Sequence, residues 1–600
     1  MPSYRSICLS LLFAFAPLVL GCAQSSPRGT DRGMATQAAA DGPPTIPGTP
    51  EDFEDRARRV FGTRSLARAS ADAATLDGDF LYKFLLGEIA AQRGDLRVAA
   101  QAYLDLAKTT HDARIARRAT EMAMVGRFND MAVQAARIWL DAEPGSLPAR
   151  QSLVSIYVTQ NDLQAAKPLL KDILAASDNQ EQSLMQLHAL LAKHPDKRAV
   201  REVLKELTAP YLKIPEAHYA LAQAAFFAGD SAAALSEIRE ALRLRPDWEW
   251  GALFQAQVLA TQSRASSLDY MKVYLGAHPG AQEVRLTYAR QLIGDKQYPP
   301  ARAEFQRLLQ SNPQNSELAV TVALLSLEMG DLDTAETQLK RVLQMQYKDP
   351  DALRFHLGQV AEERKRYDEA AQWYRSVSAG EQYIAANARY AFLLAKQDKL
   401  AEAREYLQSL PAVDEAQKVQ LVQAEAQLLR EARAFEESYS VLKKALDKMP
   451  DQTELLYDVA LAAEKVDRLE VVETNLRRLI ALKPDHAQAY NALGYTLADR
   501  TDRLAEARGF IEKALQMSPD DAFILDSMGW VEYRLGRLAS GLDYLQRAFR
   551  QRQDPEIAAH LGEELWAKGQ KQEAERVWRD SLRDHPDSEE LKTVLRKFIP

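Results

Sequence analysis

The sequence predicts an all-α solenoid built from a helix–turn–helix unit of about 34 residues, a period typical of repeat proteins. Two residue types keep this period independently along the 600-residue chain. The first type is a proline that closes an apolar segment: Pro144, Pro246, Pro279, Pro313, Pro450, Pro484, Pro519 and Pro586. The second is an alanine that opens the second half of a unit: Ala99, Ala132, Ala166, Ala234, Ala301, Ala335, Ala370, Ala403, Ala507 and Ala574. Both series advance in steps of one to four times about 34 residues, which is hard to obtain by chance.

Composition excludes several classes of function. The chain is 46% hydrophobic and 27% charged, an ordinary balance for a soluble protein, and its net charge is −8. No clustered basic block is present, which argues against a nucleic-acid surface. Both cysteines, Cys8 and Cys22, lie in the first 22 residues, so the remainder has no disulfide, thiol nucleophile or cysteine metal site.

The N-terminus predicts a lipoprotein signal peptide over residues 1–21. Arg5 precedes an apolar run over residues 7–20, too short to span a membrane comfortably. The run ends in Val19-Leu20-Gly21-Cys22, which resembles a bacterial lipobox that is cut before an acylated cysteine. An ordinary secretory peptide with a coincidental cysteine is the alternative. In systems that this segment resembles, a residue other than Asp after the cysteine, here Ala23, permits sorting to the outer membrane, so we expect lipid anchoring on its periplasmic face.

Two segments separate this anchor from the repeats. Residues 22–50 are rich in Ser, Gly, Ala and Pro without an apolar period, and predict a disordered tether. Its about 28 residues would reach roughly 30 Å. Residues 51–79 predict a helical segment with apolar positions at Phe53, Val60, Phe61 and Leu66. Its register differs from that of the repeats, so it is either a cap or a separate docking element.

Residues 80–586 predict the repeat array, with roughly 14 or 15 units and one degraded unit between Asn179 and Ile214. Residues 587–600 predict a capping helix, because an open end would expose an apolar face. Small residues recur in the middle of each first helix, where two helices must cross closely. These are Gly87, Gly358, Gly494, Gly529 and Gly562 in five units, and Ala119, Ala222, Ala289 and Ala460 in others. The units resemble tetratricopeptide repeats, which implies a right-handed superhelix whose first helices line the concave face.

No arrangement of residues predicts an active site, a metal site or a cofactor. None of the nine histidines has the spacing of a zinc-protease helix, and His194, His278 and His585 directly precede prolines, as in turns. No nucleophile elbow, P-loop or dinucleotide-binding glycine pattern is present. The carboxylate pairs are typical of solvated helix faces. We therefore predict a non-catalytic protein that binds other polypeptides.

Aromatic and polar residues at three- or four-residue spacing predict the binding surface on the concave face, because such residues share one helix face. The candidates are Tyr219, Phe226 and Phe227 in one first helix; Asn491 and Tyr495; Asp526, Trp530, Tyr533 and Arg534; and His560, Glu563 and Trp566. Aromatic residues with polar neighbours are common in binding hot spots. The alternative is that Trp530 and Trp566 merely pack between repeats.

Two blocks, residues 522–549 and 557–578, are more specific than the generic repeat. With the lipobox and the chain length, they resemble tetratricopeptide-repeat outer-membrane lipoproteins that bind a periplasmic carboxyl-terminal processing protease. The resemblance implies an adaptor that activates the protease and brings it peptidoglycan hydrolases as substrates. The competing hypothesis is an assembly factor of a secretion, pilus or exopolysaccharide export system.

Overall fold

The structure, a computed structural model, describes residues 78–599, and all secondary structure within them is helical. The helices are α1 Gly78–Arg93, α2 Leu96–Thr110, α3 Ala113–Val125, α4 Asn129–Ala142, α5 Leu147–Thr159, α6 Leu163–Ala175, α7 Gln180–Leu191, α8 Lys197–Thr208, α9 Pro215–Phe227, α10 Ser231–Leu244, α11 Glu249–Ala260, α12 Arg264–Ala277, α13 Gln282–Gly294, α14 Tyr298–Ser311, α15 Ser316–Glu328, α16 Leu332–Gln344, α17 Pro350–Glu363, α18 Tyr367–Arg375, α19 Tyr383–Ala395, α20 Leu400–Ser409, α21 Glu415–Glu431, α22 Phe435–Lys448, α23 Thr453–Lys465, α24 Leu469–Leu482, α25 Ala487–Arg500, α26 Leu504–Met517, α27 Ala522–Arg534, α28 Leu538–Gln551, α29 Pro555–Ala567, α30 Lys571–Asp584 and α31 Glu589–Phe598. A 3₁₀-helix, Ala209–Tyr211, follows α8. Odd-numbered helices up to α29 are first helices, and even-numbered helices are second helices.

The chain divides into two compact units, one ending at Thr321 and the other beginning at Val322, inside α15. The first unit contains the hairpins from α1/α2 to α13/α14. The second contains α16, the hairpins from α17/α18 to α29/α30, and α31 at the end. The predicted all-α repeat fold is therefore confirmed. The predicted signal peptide, Cys22, the tether and residues 51–77 lie outside the described residues.

In nine of the hairpins the first helix crosses its second helix at a Gly or Ala. A Cβ added to Gly494 would lie 2.5 Å from Ile511 Cγ1 and 2.9 Å from the carbonyl oxygen of Ala507, both on α26. The same crowding occurs at the four equivalent glycines, Gly87, Gly358, Gly529 and Gly562, which face Tyr103, Tyr374, Leu545 and Trp578. The alanines that other units use, Ala119, Ala222, Ala289 and Ala460, are fully buried. The interpretation of these positions as close helix crossings is confirmed.

The two periodic residue types have separate structural roles. Each of the ten periodic alanines is the fourth residue of a second helix and is almost completely buried. Each of the eight periodic prolines lies two residues beyond the end of a second helix, where it cannot continue the helix. Small residues thus set the distance between helices, and prolines set their length.

The hairpin α7/α8 departs from the others. Its two helices scarcely touch each other, and both pack mainly against α9. The residue that replaces the periodic alanine is Val200, which is larger and branched at Cβ. This accounts for the weak repeat pattern between Asn179 and Ile214, a stretch that nevertheless forms two helices. Within residues 78–599, no helix combines the length and apolar character that a bilayer span requires.

Two glycines in one hairpin test the crossing. Gly494→Ala places its Cβ against α26 and should destabilise that hairpin by roughly 1–3 kcal/mol through overpacking. The matched control is Gly509→Ala, because nothing lies within 4 Å of a Cβ there. That change should stabilise α26 by up to about 1 kcal/mol through helix propensity. Segment-resolved amide hydrogen exchange measures both, and equal effects of the two substitutions would contradict the assignment.

Candidate protein-binding face

The first helices of the second unit pack against one another as well as against their second helices, with contacts between α19 and α21, α25 and α27, and α27 and α29. Together, α17, α19, α21, α23, α25, α27 and α29 form what we call the first-helix face. Because each successive hairpin adds one helix to this face, side chains from neighbouring units meet there. The face is therefore the surface on which a long polypeptide partner can contact several units at once.

A polar network joins three consecutive first helices near the end of this face. Nδ1 of His560 lies 2.9 Å from a carboxylate oxygen of Asp526. Burial alone would lower the pKa of His560, but the Asp526 carboxylate raises it on balance. The hydroxyl of Tyr495 donates a hydrogen bond to Glu556 at 2.8 Å, and burial raises the pKa of Tyr495 well above its ordinary value. Since Tyr495 reaches from α25 to α29 past α27, the face is locally concave there.

The helix α27 is held against α25 and α29 by side chains near its C-terminal end, namely Trp530, Tyr533 and Arg534. The Trp530 ring stacks on His560 at a centroid distance of 4.2 Å and is only 8% exposed. Tyr533 packs beside Trp530 and is partly buried. The Arg534 guanidinium donates to the carbonyl oxygens of Ala498 and Asp499, so it caps the end of α25. These three residues therefore contribute to the packing between units.

Glu563 and Trp566 connect α29 to the end of the chain. Lys597 Nζ donates to a carboxylate oxygen of Glu563 at 3.1 Å. Trp566 is partly buried, and its ring lies 5.9 Å from that of Trp578 and 5.6 Å from that of Phe598. This arrangement fits the alternative in which tryptophans pack within the array, and it shows how α31 covers the last hairpin.

Asn491 and Trp530 each leave one polar atom without a partner. Oδ1 of Asn491 and Nε1 of Trp530 are buried and have no hydrogen bond within the described residues. A buried polar atom without a partner costs free energy, so both positions carry a local cost that packing must offset. As members of a binding surface, the residues from Asn491 to Trp566 remain a prediction.

The aromatic residues of α9 in the first unit divide between core and surface. Tyr219 is buried between Trp248 and Phe254. Phe226 is partly buried and also packs edge-on against Phe254. Phe227 is 51% exposed and stacks on His188, whose pKa burial lowers to about 4. Phe227 is therefore open to solvent, whereas the ring of Tyr219 is covered by its neighbours, and the binding role expected of the three residues stays a prediction.

An open groove lies elsewhere on the first-helix face. It has a volume of about 690 Å³ and is formed mainly by α19, α21 and α23 with part of α22 at its base, and we call it the α21 groove. Alanines such as Ala385, Ala388 and Ala424 line it, beside Gln420 and Gln423. Sequence reasoning missed this site because it searched for aromatic clusters. The available signal was the spacing of Gln420, Gln423 and Gln427, which places three amides on one helix face.

Glu564 is the most deeply buried carboxylate at this end of the chain. It is 0% exposed, and neither of its oxygens has a hydrogen-bond partner within the described residues. Its carboxylate occupies the space over Gly541 of α28, where a Cβ would lie 2.5 Å from Oε1. Burial raises the pKa of Glu564 to about 8, so the folded protein holds a neutral carboxyl group at pH 7.

Comparison with known proteins agrees with this architecture. Family models described as tetratricopeptide repeat match residues 215–247, 323–384 and 472–522. The chain is 32% identical over 493 residues to the TPR repeat-containing protein PA4667 of Pseudomonas aeruginosa, covering 81% of this chain and 82% of that protein. The chain therefore belongs to the tetratricopeptide repeat family, whose members typically serve as non-catalytic scaffolds for protein–protein interaction.

Solved structures with similar repeats include a tetratricopeptide repeat protein from Parabacteroides merdae, which is 15% identical, covers 48% of this chain and 100% of that chain, and has a TM-score of 0.32. Another is the APC/C hetero-tetramer Cut9–Hcn1, 14% identical, covering 74% of this chain and 95% of that chain, with a TM-score of 0.28. A third is the thermophilic protein TTC0263 of Thermus thermophilus, 22% identical, covering 29% of this chain and 95% of that chain, with a TM-score of 0.27.

Substitution of Glu564 tests its burial as a neutral acid. Because its pKa is raised in the folded state, its contribution to stability is fully present below about pH 4.5 and is lost as pH rises through about 8. Glu564→Gln cannot ionise, so between pH 5 and pH 9 the wild type should lose about 2–4 kcal/mol relative to this variant. Hydrogen exchange of α28 and α29 across that pH range measures the difference. The exposed Glu573→Gln is the control, and a pH-independent difference for Glu564→Gln would contradict the assignment.

Proposed function

We propose that the protein is a non-catalytic adaptor, anchored to the outer membrane through Cys22, that activates a periplasmic carboxyl-terminal processing protease and brings it peptidoglycan hydrolases. The observation that carries the identity of the partner is the resemblance of residues 522–549 and 557–578 to the lipoprotein partners of such proteases. The helices α27 to α30, which contain most of these residues, also carry His560 and Asp526 of the polar network. The resemblance therefore covers a part of the chain with specific contacts between units.

The repeat architecture supports an adaptor. Fifteen pairs of first and second helices follow one another in residues 78–584, and the first-helix face of the second unit alone extends over seven of them. A surface of this length can hold a protease and its substrate together, which raises their effective concentration without any catalytic group in the adaptor. The lipid anchor and the tether would keep this complex near the membrane that holds the cell wall.

Affinity capture tests the proposal. The tagged full-length chain is recovered in detergent from cell envelopes, and the proteins that stay bound are identified by mass spectrometry. We expect a carboxyl-terminal processing protease, and we expect the purified chain to increase the rate at which that protease degrades a bound hydrolase. Recovery of secretion, pilus or exopolysaccharide-export subunits without the protease would overturn the proposal in favour of an assembly factor.

The same preparation tests the anchor. Cys22→Ser should move the chain from the membrane fraction to the soluble periplasmic fraction, because acylation at that cysteine supplies the membrane affinity. Cys8→Ser is the matched control and should leave the distribution unchanged, since Cys8 lies within the predicted signal peptide. Continued membrane attachment of Cys22→Ser would contradict lipid anchoring while leaving the protease partnership to be judged by the capture experiment.

A further inference from the structure

The α21 groove is lined by the first helices of three consecutive hairpins and, from α22, by Phe435, Ser438 and Leu442, with a volume of about 690 Å³. Ala385 is exposed, and Ala388 and Ala424 are partly exposed, so the lining is apolar but shallow. Small side chains let another backbone approach closely. The volume lies within the roughly 300–1,000 Å³ range of ligand sites, which distinguishes the groove from a simple packing defect.

The polar groups of the groove suit a peptide main chain. Gln420 is exposed, and Gln423 is partly buried with its amide nitrogen donating to Asp458 at 2.7 Å. A glutamine amide offers both a donor and an acceptor, as a peptide group does. An extended segment has main-chain groups to share, whereas a helix has already paired most of its own. The row on α21 therefore favours an extended occupant over a helical one.

Two carboxylates in the groove form no direct ion pair. Within the described residues, no Lys or Arg nitrogen lies within 4 Å of Asp458 or Glu464, although both are partly buried. Burial raises the pKa of both groups. Two more deeply buried carboxylates of this unit do form ion pairs: Glu425 pairs with Arg404 and Glu532 pairs with Arg508.

The remaining charged side chains at the groove do not supply the missing ion pairs. Arg430 and Lys465 line it but are exposed, and Glu381 at the edge adds a further negative charge. A cation brought by an occupant would meet carboxylates that are already partly desolvated, where charge-assisted hydrogen bonds are strongest.

We propose that the α21 groove binds an extended, cationic segment of a client polypeptide, with the glutamines of α21 hydrogen-bonding its main chain and with Asp458 and Glu464 pairing with its Lys or Arg side chains. This inference deepens the proposed adaptor function, since it assigns the groove to the client and not to the protease. It also concerns different residues from those of the network around His560.

The test measures binding of labelled peptides to the full-length chain by fluorescence anisotropy. The probes are (Ala-Lys)₅, (Ala-Glu)₅ and (Ala-Gln)₅, which differ only in charge. We expect saturable binding of (Ala-Lys)₅, with (Ala-Glu)₅ at least about tenfold weaker, because its carboxylates cannot donate hydrogen bonds to Asp458 and Glu464 and are repelled by them. Equal affinity for the three peptides would overturn the cationic specificity.

Two groove variants locate the binding. The double variant Asp458→Asn/Glu464→Gln removes the charges, and Ala385→Trp fills the groove from an exposed position that need not disturb the core. Each should weaken (Ala-Lys)₅ binding by about fivefold or more. The matched controls lie on exposed positions of α20: Glu402→Gln/Glu405→Gln removes the same charge, and Ala401→Trp adds the same bulk. If the controls weaken binding as much as the groove variants, attraction to the overall negative charge explains the result and the groove proposal is wrong.

Protease capture separates this inference from the function on which it rests. Groove variants that still capture the protease but no longer stimulate degradation of a client would support both proposals. Loss of client delivery without any change in (Ala-Lys)₅ affinity would contradict the groove assignment alone. Specific (Ala-Lys)₅ binding by a wild-type chain that captures no protease would overturn the adaptor function and leave the groove in place.

Discussion

Apart from α7/α8, the hairpins depend on the close crossing of a first helix and its second helix. A side chain as small as Gly or Ala at the crossing lets the two backbones approach until Ile511 touches the helix at Gly494, or Trp578 touches it at Gly562. Glycine weakens a helix by up to about 1 kcal/mol relative to alanine. The packing contacts at the crossing must therefore stabilise the hairpin by more than this amount. The periodic alanine of the second helix closes the same interface from the other side.

The second unit builds its first-helix face on this constraint. Second helices lie against their own first helices, so the outer surfaces of the first helices are left to meet neighbouring units or partners. Near α29 the outer surfaces of the first helices contact neighbouring units, through hydrogen bonds made by Tyr495, His560 and Asp526. At α21 the small and polar side chains of alanine and glutamine do not fill this surface, and a groove remains. Packing between units and the proposed binding thus occupy different parts of one surface.

Sequence predicted the fold well because the repeat depends on local chemistry. A proline ends a helix and an alanine permits a crossing wherever the chain runs, so both can be read from spacing. The side-chain partners could not be read in this way. Tyr219 and Phe227 share one helix, yet one ring is covered by the next unit and the other is exposed. Arg534 caps a helix that ends 34 residues earlier, and Glu564 contacts the preceding hairpin. Such contacts depend on how successive hairpins pack, which no single unit encodes.

The central claim is that partners bind to the first-helix face of the second unit and not to its second helices. Amide hydrogen exchange of the full-length chain, with and without (Ala-Lys)₅ at saturation, tests this claim most directly. The account predicts slower exchange in α19, α21 and α23, with little change in α20 and α24, which contribute no residue to the groove. Slower exchange confined to those second helices, or spread evenly along the chain, would contradict it.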